Sequence, residues 1–153
     1  FNPMQKLLYE IVLNGQREVE KAARAGITID ELNDVCWAVV NDGLEKKFSA
    51  AGGKYKLRYK DRPHGVSHLM GEQEHDGDPF RNYATQPMKA GWMISNEPGL
   101  YGDFKIRLNG KTYDETIGIR IEDNLVMTLR SCMNLSSIIP KSIKEIERLM
   151  ADN

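Results

Sequence analysis

The chain has 153 residues, of which 41% are hydrophobic and 28% charged, and its formal net charge is −1 at pH 7. This size and composition indicate one soluble globular domain and argue against a disordered chain. The mixed charges provide no long-range field that would attract nucleic acid or an anionic membrane. No apolar run approaches the roughly 18 residues that a membrane-spanning helix needs.

The two cysteines, Cys36 and Cys132, are too few and too far apart for a disulfide scaffold or a thiolate zinc site. They favour buried free thiols in a reducing compartment, so we expect a cytoplasmic protein. The chain opens at Phe1 without an initiator methionine or a signal-like segment, and a helix signal begins at once. This start suggests a piece of a longer protein.

The first 25 residues have the pattern of an amphipathic helix. Asn2 and Pro3 fit the N-cap and the first helical position, and Gln5 is placed to complete a capping box. Apolar residues then recur at helical spacing until Gly26, which can adopt the left-handed conformation that commonly ends a helix. We predict a helix over residues 3–25.

A second capping box begins at Thr28, with Glu31 three residues later. The apolar stripe that follows it ends at Leu44, so a second helix is predicted to pack against the first. Docking of a partner helix on these stripes is the alternative to ordinary core packing.

Residues 48–63 break the helical pattern. They contain an Ala-Ala-Gly-Gly stretch and then a basic run, Lys54–Arg62, in which Tyr55 and Tyr59 are interleaved. A nucleic-acid patch is one interpretation of such a run. The run is short and is balanced by acidic residues elsewhere, which favours a solvated connection.

The densest chemistry lies in His64–Asp76, here named the histidine segment, which contains all three histidines of the protein. His64 and His68 are four residues apart, and His75 follows seven residues after His68. Imidazoles bind metals and carry protons near neutral pH, so this concentration predicts a site. A polar surface loop is the alternative interpretation.

Strand character begins after a turn-rich loop at Gly77–Pro87. The run Trp92–Glu97 predicts a strand, which Pro98 ends because proline cannot donate to a ladder. Glu97 is therefore expected at the end of a strand.

Residues 118–122 alternate between apolar and polar side chains. Ile119 and Ile121 are predicted to face one side of a strand. Arg120 and Glu122 are predicted to face the other side, so Glu122 points where Arg120 points.

The remaining elements complete a mixed fold. Leu125–Met127 continues toward a turn, Cys132–Ile139 predicts a last strand, and Ser142 with Glu145 caps a C-terminal helix. Helices come first and last with strands between them, and no internal repeat is present. This order favours one compact α+β unit.

Glu97 and Glu122 are candidate metal ligands, because they lie at the ends of the predicted strands. Together with a histidine nitrogen they provide the mixed oxygen and nitrogen ligands that suit zinc, manganese, cobalt or iron. Glutamates at strand ends are common, however. A salt bridge to Arg120, or an ordinary surface carboxylate, is the alternative for either residue.

Three strings, in this order, carry a resemblance to a known family: His-Gly-Val-Ser-His at 64–68, Asn-Glu-Pro-Gly-Leu-Tyr at 96–101 and Gly-Ile-Arg-Ile-Glu-Asp-Asn at 118–124. They resemble the pita-bread metallopeptidases, and among them the Xaa-Pro aminopeptidase and prolidase branch. The resemblance spans nearly the whole chain. It implies a partial pita-bread fold of the α+β class, with helices packed on the outer face of a curved, mainly antiparallel sheet.

The resemblance also implies the metal ligands. In that family two metal ions, bridged by water or hydroxide, are bound by two aspartates, one histidine and two glutamates. His68 matches the histidine ligand, and Glu97 and Glu122 match the two glutamates. Manganese is the expected ion, with cobalt or zinc as alternatives. Arg120 matches a residue whose cation orients nearby carboxylates and tunes their basicity.

Catalytic roles follow from the same resemblance. His75 matches a histidine that contacts substrate and helps to carry the proton or to stabilise the intermediate. His64 matches a second histidine on the substrate side. Glu97, besides binding metal, is expected to accept a proton from the attacking water.

The family's two aspartates precede the first helix, so the resemblance implies that both are absent and that residues 1–153 are the C-terminal portion of a catalytic domain. A dinuclear site without two of its carboxylates should hold metal weakly or not at all. Glu72 and Glu74 stand where relatives usually carry apolar residues. That departure puts the local packing and the substrate preference in question.

The implied activity of the intact enzyme is metal-assisted hydrolysis of peptides with proline at the second position, as in an Xaa-Pro aminopeptidase. The alternatives are an Xaa-Pro dipeptidase (prolidase), a non-catalytic peptide- or protein-binding module, and a metal-free enzyme of the creatinase type. Retention of the ligands argues against the last two. The intact enzyme is expected to be a homo-oligomer, and the fragment alone is expected to be inactive.

Overall fold

The computed structural model describes residues 1–59 and 62–151, so Lys60 and Asp61 of the basic run lie outside the described residues. The described elements, in chain order, are α1 (Pro3–Ala22), α2 (Ile29–Gly43), a π-helical turn (Leu44–Ser49), β1 (Lys54–Leu57), β2 (Leu69–Met70), a 3-10 turn (Asn82–Thr85), β3 (Met93–Asn96), β4 (Gly99–Leu108), β5 (Lys111–Arg120), β6 (Asp123–Met127), β7 (Cys132–Asn134) and α3 (Ile143–Ala151). Within the described ranges, none of the helices has both the length and the apolar character that crossing a membrane requires.

Both predicted capping boxes are present. The main-chain N–H of Gln5 donates to Asn2 Oδ1 at 2.9 Å, and the main-chain N–H of Asn2 donates to Gln5 Oε1 at 3.0 Å. At the second helix, Glu31 N donates to Thr28 Oγ1 at 3.1 Å and Thr28 N donates to Glu31 Oε2 at 2.7 Å. Each box satisfies two amides that the helix leaves without an intrahelical partner, which fixes where the helix begins.

The first helix ends at Ala22, three residues earlier than predicted. The amides that would have continued it bond elsewhere, because Ala25 N donates to Thr128 O and Gly26 N donates to Met88 O, both at 2.9 Å. Gly26 has the expected positive φ of 90°, but it lies in the turn after the helix. Tertiary hydrogen bonds therefore replace the last predicted turn of the helix.

The strands pair antiparallel in the orders β1-β4-β5 and β2-β3-β6-β7. The two sheets share one register, since Asn96 is opposite Asp123 and Gly99 is opposite Arg120. Ile121 N donates to the Pro98 carbonyl at 3.3 Å between them. The ladder thus passes from one sheet to the other, which agrees with the predicted mainly antiparallel sheet.

Residues 54–57 were predicted as a solvated connection. Three of the four residues are exposed, as expected, but the segment is a strand and not a loop: it forms β1, which pairs with β4. Tyr55 packs near the rings of Phe48 and Phe104, with centroid separations of 6.2 Å in both cases. These two rings come from distant parts of the chain, so the sequence of the run alone does not show what the strand covers.

Two further strands differ from the sequence expectations. Pro98 ends β3 as predicted, but β4 begins at the very next residue, where no strand was predicted. The strand predicted over residues 132–139 covers only Cys132–Asn134. Beyond it, Ser136 N donates to Asn134 Oδ1 at 2.8 Å and Asn124 N donates to Ser136 Oγ at 3.1 Å. One main-chain bond, from Leu135 N to Asn124 O at 2.9 Å, continues the ladder, and side-chain hydrogen bonds then replace it.

The core lies between the helices and one face of the strands. The predicted alternation of residues 118–122 is confirmed, because Ile121 is buried and Ile119 partly buried while Arg120 and Glu122 are exposed. The fully buried members from several elements are Met4, Leu8, Ile11, Leu32, Phe48, Ile94, Phe104, Ile106 and Leu125. This packing leaves the opposite face of the sheet free to carry polar groups.

The two cysteines are both unpaired. Cys36 is buried in the core, and burial raises the pKa of its thiol to about 12. Cys132 is half-buried, and burial raises the pKa of its thiol as well. The expected buried thiol is thus confirmed for Cys36. Neither thiol has the lowered pKa typical of a nucleophile or a metal ligand.

Phe104 is expected to be a main support of this core. Phe104 is 1% exposed and Phe80 is 85% exposed. Phe104→Ala should lower the free energy of unfolding by about 3–5 kcal/mol, because it leaves a cavity between the π-helical turn and β4. Phe80→Ala, the matched control, should change it by less than about 0.5 kcal/mol. Urea unfolding measures both, and equal losses would contradict the placement of the core.

Candidate functional site

A cleft of about 770 Å³ opens beside the histidine segment. The predicted site residues that line it are His64, His68, His75, Glu97 and Arg120. They come from the histidine segment, the end of β3 and the end of β5. The cleft therefore joins residues that lie up to 56 positions apart in the sequence.

His68 and Glu97 make the central contact of the cleft. Nε2 of His68 lies 3.1 Å from Oε1 of Glu97, and the two side chains are only 8% and 11% exposed. Nδ1 of His68 lies 3.1 Å from the Leu69 carbonyl, which can only accept a hydrogen bond, so Nδ1 carries the hydrogen. In the neutral ring, Nε2 therefore presents a lone pair to a carboxylate oxygen.

The carboxylate of Glu97 is held at both oxygens. Ser95 Oγ donates to Oε1 at 3.2 Å. Arg120 Nη1 lies 3.2 Å from Oε2, and Arg120 Nε donates to the Tyr101 hydroxyl at 2.9 Å. The ion pair with Arg120, which was the alternative to metal binding, leaves Oε1 directed at His68. The carboxylate of Glu97 thus contacts Arg120 through Oε2 and His68 through Oε1.

The histidine segment is attached to β3 by main-chain hydrogen bonds that extend the β2–β3 ladder. Ser95 N donates to the His68 carbonyl at 3.1 Å, and Glu97 N donates to the Val66 carbonyl at 2.8 Å. On the other side, Val66 N donates to Oδ1 of the buried Asn33 in α2 at 2.7 Å. The backbone around His68 is therefore fixed from the sheet and from a helix.

A second buried amide fixes the strand that precedes Glu97. Asn96 Nδ2 donates to the Gln16 carbonyl at 3.0 Å, and Gln16 Nε2 donates to the Asn96 carbonyl at 3.3 Å. Both residues are buried. This reciprocal pair ties α1 to the end of β3, immediately beside the candidate ligand.

The sequence did not identify Asn33, Gln16, Ser95 or Tyr101 as parts of the site. A usable signal was present for Asn33, which lies four residues after Ile29 and so on the apolar side of α2. A buried amide among apolar side chains needs hydrogen-bond partners, and here it supplies one to the histidine segment.

The other two histidines flank the central contact. The His75 ring is centred 4.1 Å from the His68 ring and is exposed. His64 Nδ1 lies 2.8 Å from the Gly65 carbonyl, and His64 Nε2 is buried without a hydrogen-bond partner among the described residues. A Cβ at Gly99 would stand 2.9 Å from that nitrogen, so the absence of a side chain there makes room for the ring.

Glu122 is not among the residues that line the cleft, although Glu97 is. The shared register of the two sheets places Glu122 opposite Glu97, and opposed residues of an antiparallel ladder share a face. Its side chain is exposed and forms no hydrogen bond or ion pair with the described residues. The structure therefore brings together two of the three predicted ligands, and the role of Glu122 stays a prediction.

Within residues 1–59 and 62–151, no group of three or more His, Cys, Asp or Glu side chains is arranged to hold a metal ion. The chemistry of the pair that does meet fits a divalent ion. His68 offers Nε2 while its other ring nitrogen is bonded to a carbonyl, which is the arrangement usual for a metal-binding histidine. Glu97 adds the oxygen ligand that a mixed site requires.

Glu72 and Glu74, the two acidic residues whose effect on local packing was in question, are exposed. The turn that contains them is closed by Asp76, whose carboxylate accepts from Glu72 N at 3.1 Å and from Gly77 N at 2.8 Å. The acidic side chains therefore reach solvent without disturbing a buried contact.

Comparison with known proteins identifies a family. The sequence profile of metallopeptidase family M24 matches residues 1–129. The chain is 30% identical to the Xaa-Pro aminopeptidase of Haemophilus influenzae over 162 residues, which is 98% of this chain and 36% of that protein. It is 32% identical over 154 residues to the mitochondrial intermediate cleaving peptidase 55 of Arabidopsis thaliana, which is 98% of this chain and 29% of that protein.

The fold is similar to solved structures of aminopeptidase P. Aminopeptidase P of Escherichia coli with the inhibitor Pro-Leu superposes with a TM-score of 0.78 at 27% identity. The superposition covers 99% of this chain and 35% of that one. The chain thus spans about a third of the length of the proteins that it matches.

Asn33 is expected to hold the histidine segment in place. Asn33→Ala leaves the buried Val66 amide without its acceptor, so the free energy of unfolding should fall by about 1–3 kcal/mol. Hydrogen exchange at Val66 should become faster. Asn41→Ala, at an exposed asparagine of the same helix, should change neither quantity. Similar behaviour of the two variants would contradict a role for the Asn33 amide.

Proposed function

The chain belongs to metallopeptidase family M24, and we propose that the full-length protein is an Xaa-Pro aminopeptidase, a metal-dependent enzyme that hydrolyses peptides with proline at the second position. The observation that carries this proposal is the buried 3.1 Å contact between His68 Nε2 and Glu97 Oε1. A nitrogen ligand and an oxygen ligand already face each other there. The similarity to Xaa-Pro aminopeptidases supports the substrate class.

We propose that the 153 residues are the C-terminal portion of the catalytic domain. The matched proteins are about three times as long, which supports this assignment. In the proposed site His68 and Glu97 hold divalent metal, and Glu122 joins them from the opposite strand. Two aspartates from another part of the full-length protein complete the ligand set. When bound, the metal pair supplies a water nucleophile at neutral pH and polarises the scissile carbonyl.

The residues of this chain have separate proposed tasks in the reaction. Glu97 accepts a proton from the attacking water, while Arg120 keeps Oε2 in place by the 3.2 Å ion pair. His75, next to His68 and open to the cleft, donates a hydrogen bond to the substrate oxygen as negative charge develops. His64 meets the substrate through Nε2, which is buried and has no partner among the described residues.

Three further features of the full-length protein are proposals. Manganese is the proposed metal, because carboxylate-rich sites suit it, and cobalt and zinc are the alternatives. A cytoplasmic location is supported by the unpaired thiols of Cys36 and Cys132. A homo-oligomer is supported by the exposed apolar side chains of Leu135 and Ile138 after β7.

Different roles for His68 and His75 give the first functional test, in the full-length protein. His68→Ala should lower the metal content and Xaa-Pro hydrolysis together, because it removes a ligand. His75→Ala should keep the metal and lower turnover by about 10²–10⁴-fold, which is the usual contribution of general acid–base catalysis. Metal analysis beside hydrolysis rates measures both. A His75→Ala protein stripped of metal would overturn the assignment.

The 153-residue chain alone should not hydrolyse Xaa-Pro peptides, even with added manganese. Metal affinity depends on the full set of deprotonated ligands, and two are proposed to lie elsewhere. The full-length protein, assayed in parallel, is the positive control. Turnover that purifies with the 153-residue chain, and that is lost in its His68→Ala variant, would show that this portion carries a complete site.

A further inference from the structure

We propose that Ser95 is a positioning residue that sets the separation between His68 and Glu97. The inference rests on the proposed function, in which those two residues bind metal. Ser95 is 0% exposed and stands two residues before Glu97 on β3. The resemblance and the family match assign it no role.

The Ser95 hydroxyl contacts both candidate ligands. It accepts the main-chain N–H of His68 at 2.9 Å, and it donates its own hydrogen to Glu97 Oε1 at 3.2 Å. Oε1 is the oxygen that faces His68 Nε2. One hydroxyl thus joins the backbone of the first ligand to the carboxylate of the second.

This hydrogen bond replaces a main-chain bond of the ladder. The β2–β3 register, with Leu69 opposite Ile94, continues to His68 opposite Ser95. An antiparallel pair of the hydrogen-bonded type exchanges two main-chain bonds. The first, from Ser95 N to the His68 carbonyl, is present at 3.1 Å. The His68 amide, however, donates to the Ser95 hydroxyl. The backbone at His68 is therefore placed by a side chain.

The direction of the hydroxyl hydrogen has a chemical consequence for Glu97. A carboxylate has about four lone-pair sites, so one neutral donor at Oε1 leaves room there for a cation. The ion pair with Arg120 occupies Oε2. The carboxylate is consequently held against rotation from both oxygens while the oxygen that faces His68 stays available. Without the hydroxyl, the His68 backbone and the Glu97 carboxylate each lose a hydrogen bond that positions them.

Four proteins test the role of the hydroxyl: wild type, Ser95→Ala, Ser95→Thr and Ser67→Ala. Ser95→Thr keeps a hydroxyl, which separates its effect from that of side-chain size. Ser67→Ala is the matched control, because Ser67 is 1% exposed, precedes His68, and has a buried hydroxyl with no partner among the described residues. Thermal unfolding confirms that each variant is folded.

The first readout is amide hydrogen exchange at His68 in the metal-free 153-residue chain. Ser95→Ala should exchange at least about 10-fold faster at His68, as expected where a buried amide loses about 1.4 kcal/mol of protection. Exchange at Leu8, in the core of α1, reports global stability. Ser95→Thr and Ser67→Ala should resemble wild type at His68. Unchanged exchange in Ser95→Ala would overturn the proposal.

The second readout is Zn²⁺ affinity, measured by calorimetry on the full-length protein. Ser95→Ala should weaken it about 10–100-fold, the range found when a group that orients a ligand is lost. Ser95→Thr should restore it. Wild-type affinity in Ser95→Ala, or an equal loss in Ser67→Ala, would overturn the positioning role. A protein that shows the expected ranking but hydrolyses no Xaa-Pro peptide would reject the proposed function and keep the assignment of Ser95.

Discussion

The contact between His68 and Glu97 is the constraint on which the rest of the site depends. With the hydrogen of the neutral ring on Nδ1, both atoms that meet at 3.1 Å are hydrogen-bond acceptors, and both are buried. Such a pair has no attraction of its own until a proton or a cation lies between the atoms. The surrounding structure must therefore hold it. Main-chain bonds from β3 to the histidine segment and the ion pair to Arg120 provide that support.

The helices contribute to the site as well as to the core. Asn33 reaches from α2 to the Val66 amide, and Gln16 reaches from α1 to the carbonyl beside Glu97. Both side chains are buried amides on helices whose other inward residues are apolar. Buried amides are usually hydrogen-bonded, because an unsatisfied one is costly. Each one consequently fixes the helix and the candidate ligand relative to each other, so the apolar packing of the helices also orients the site.

The two sides of the ladder differ in how completely they are organised. Glu97 has directed partners at both carboxylate oxygens, whereas Glu122, opposite it, is exposed and has none among the described residues. Next to Glu122, the buried Asp123 is held by Lys141 Nζ at 2.8 Å and Asn134 Nδ2 at 3.0 Å. These two contacts fix the strand end at Asp123, beside Glu122.

Local sequence patterns correctly predicted the two capping boxes, the strand that ends just before Glu97 and the alternation around Arg120. Three short strings also indicated the family, and they supply the ligands that are proposed for the metal. Each of these features depends on residues that are close together in the sequence, so a sequence pattern is enough to predict it. The early end of α1, the pairing of β1 with β4, and the hydrogen bonds that Ser95 and Asn33 make with the histidine segment became visible only in the folded structure. Each of these depends on hydrogen bonds or packing between residues distant in sequence, and such partners are defined only when the sheet and the helices come together.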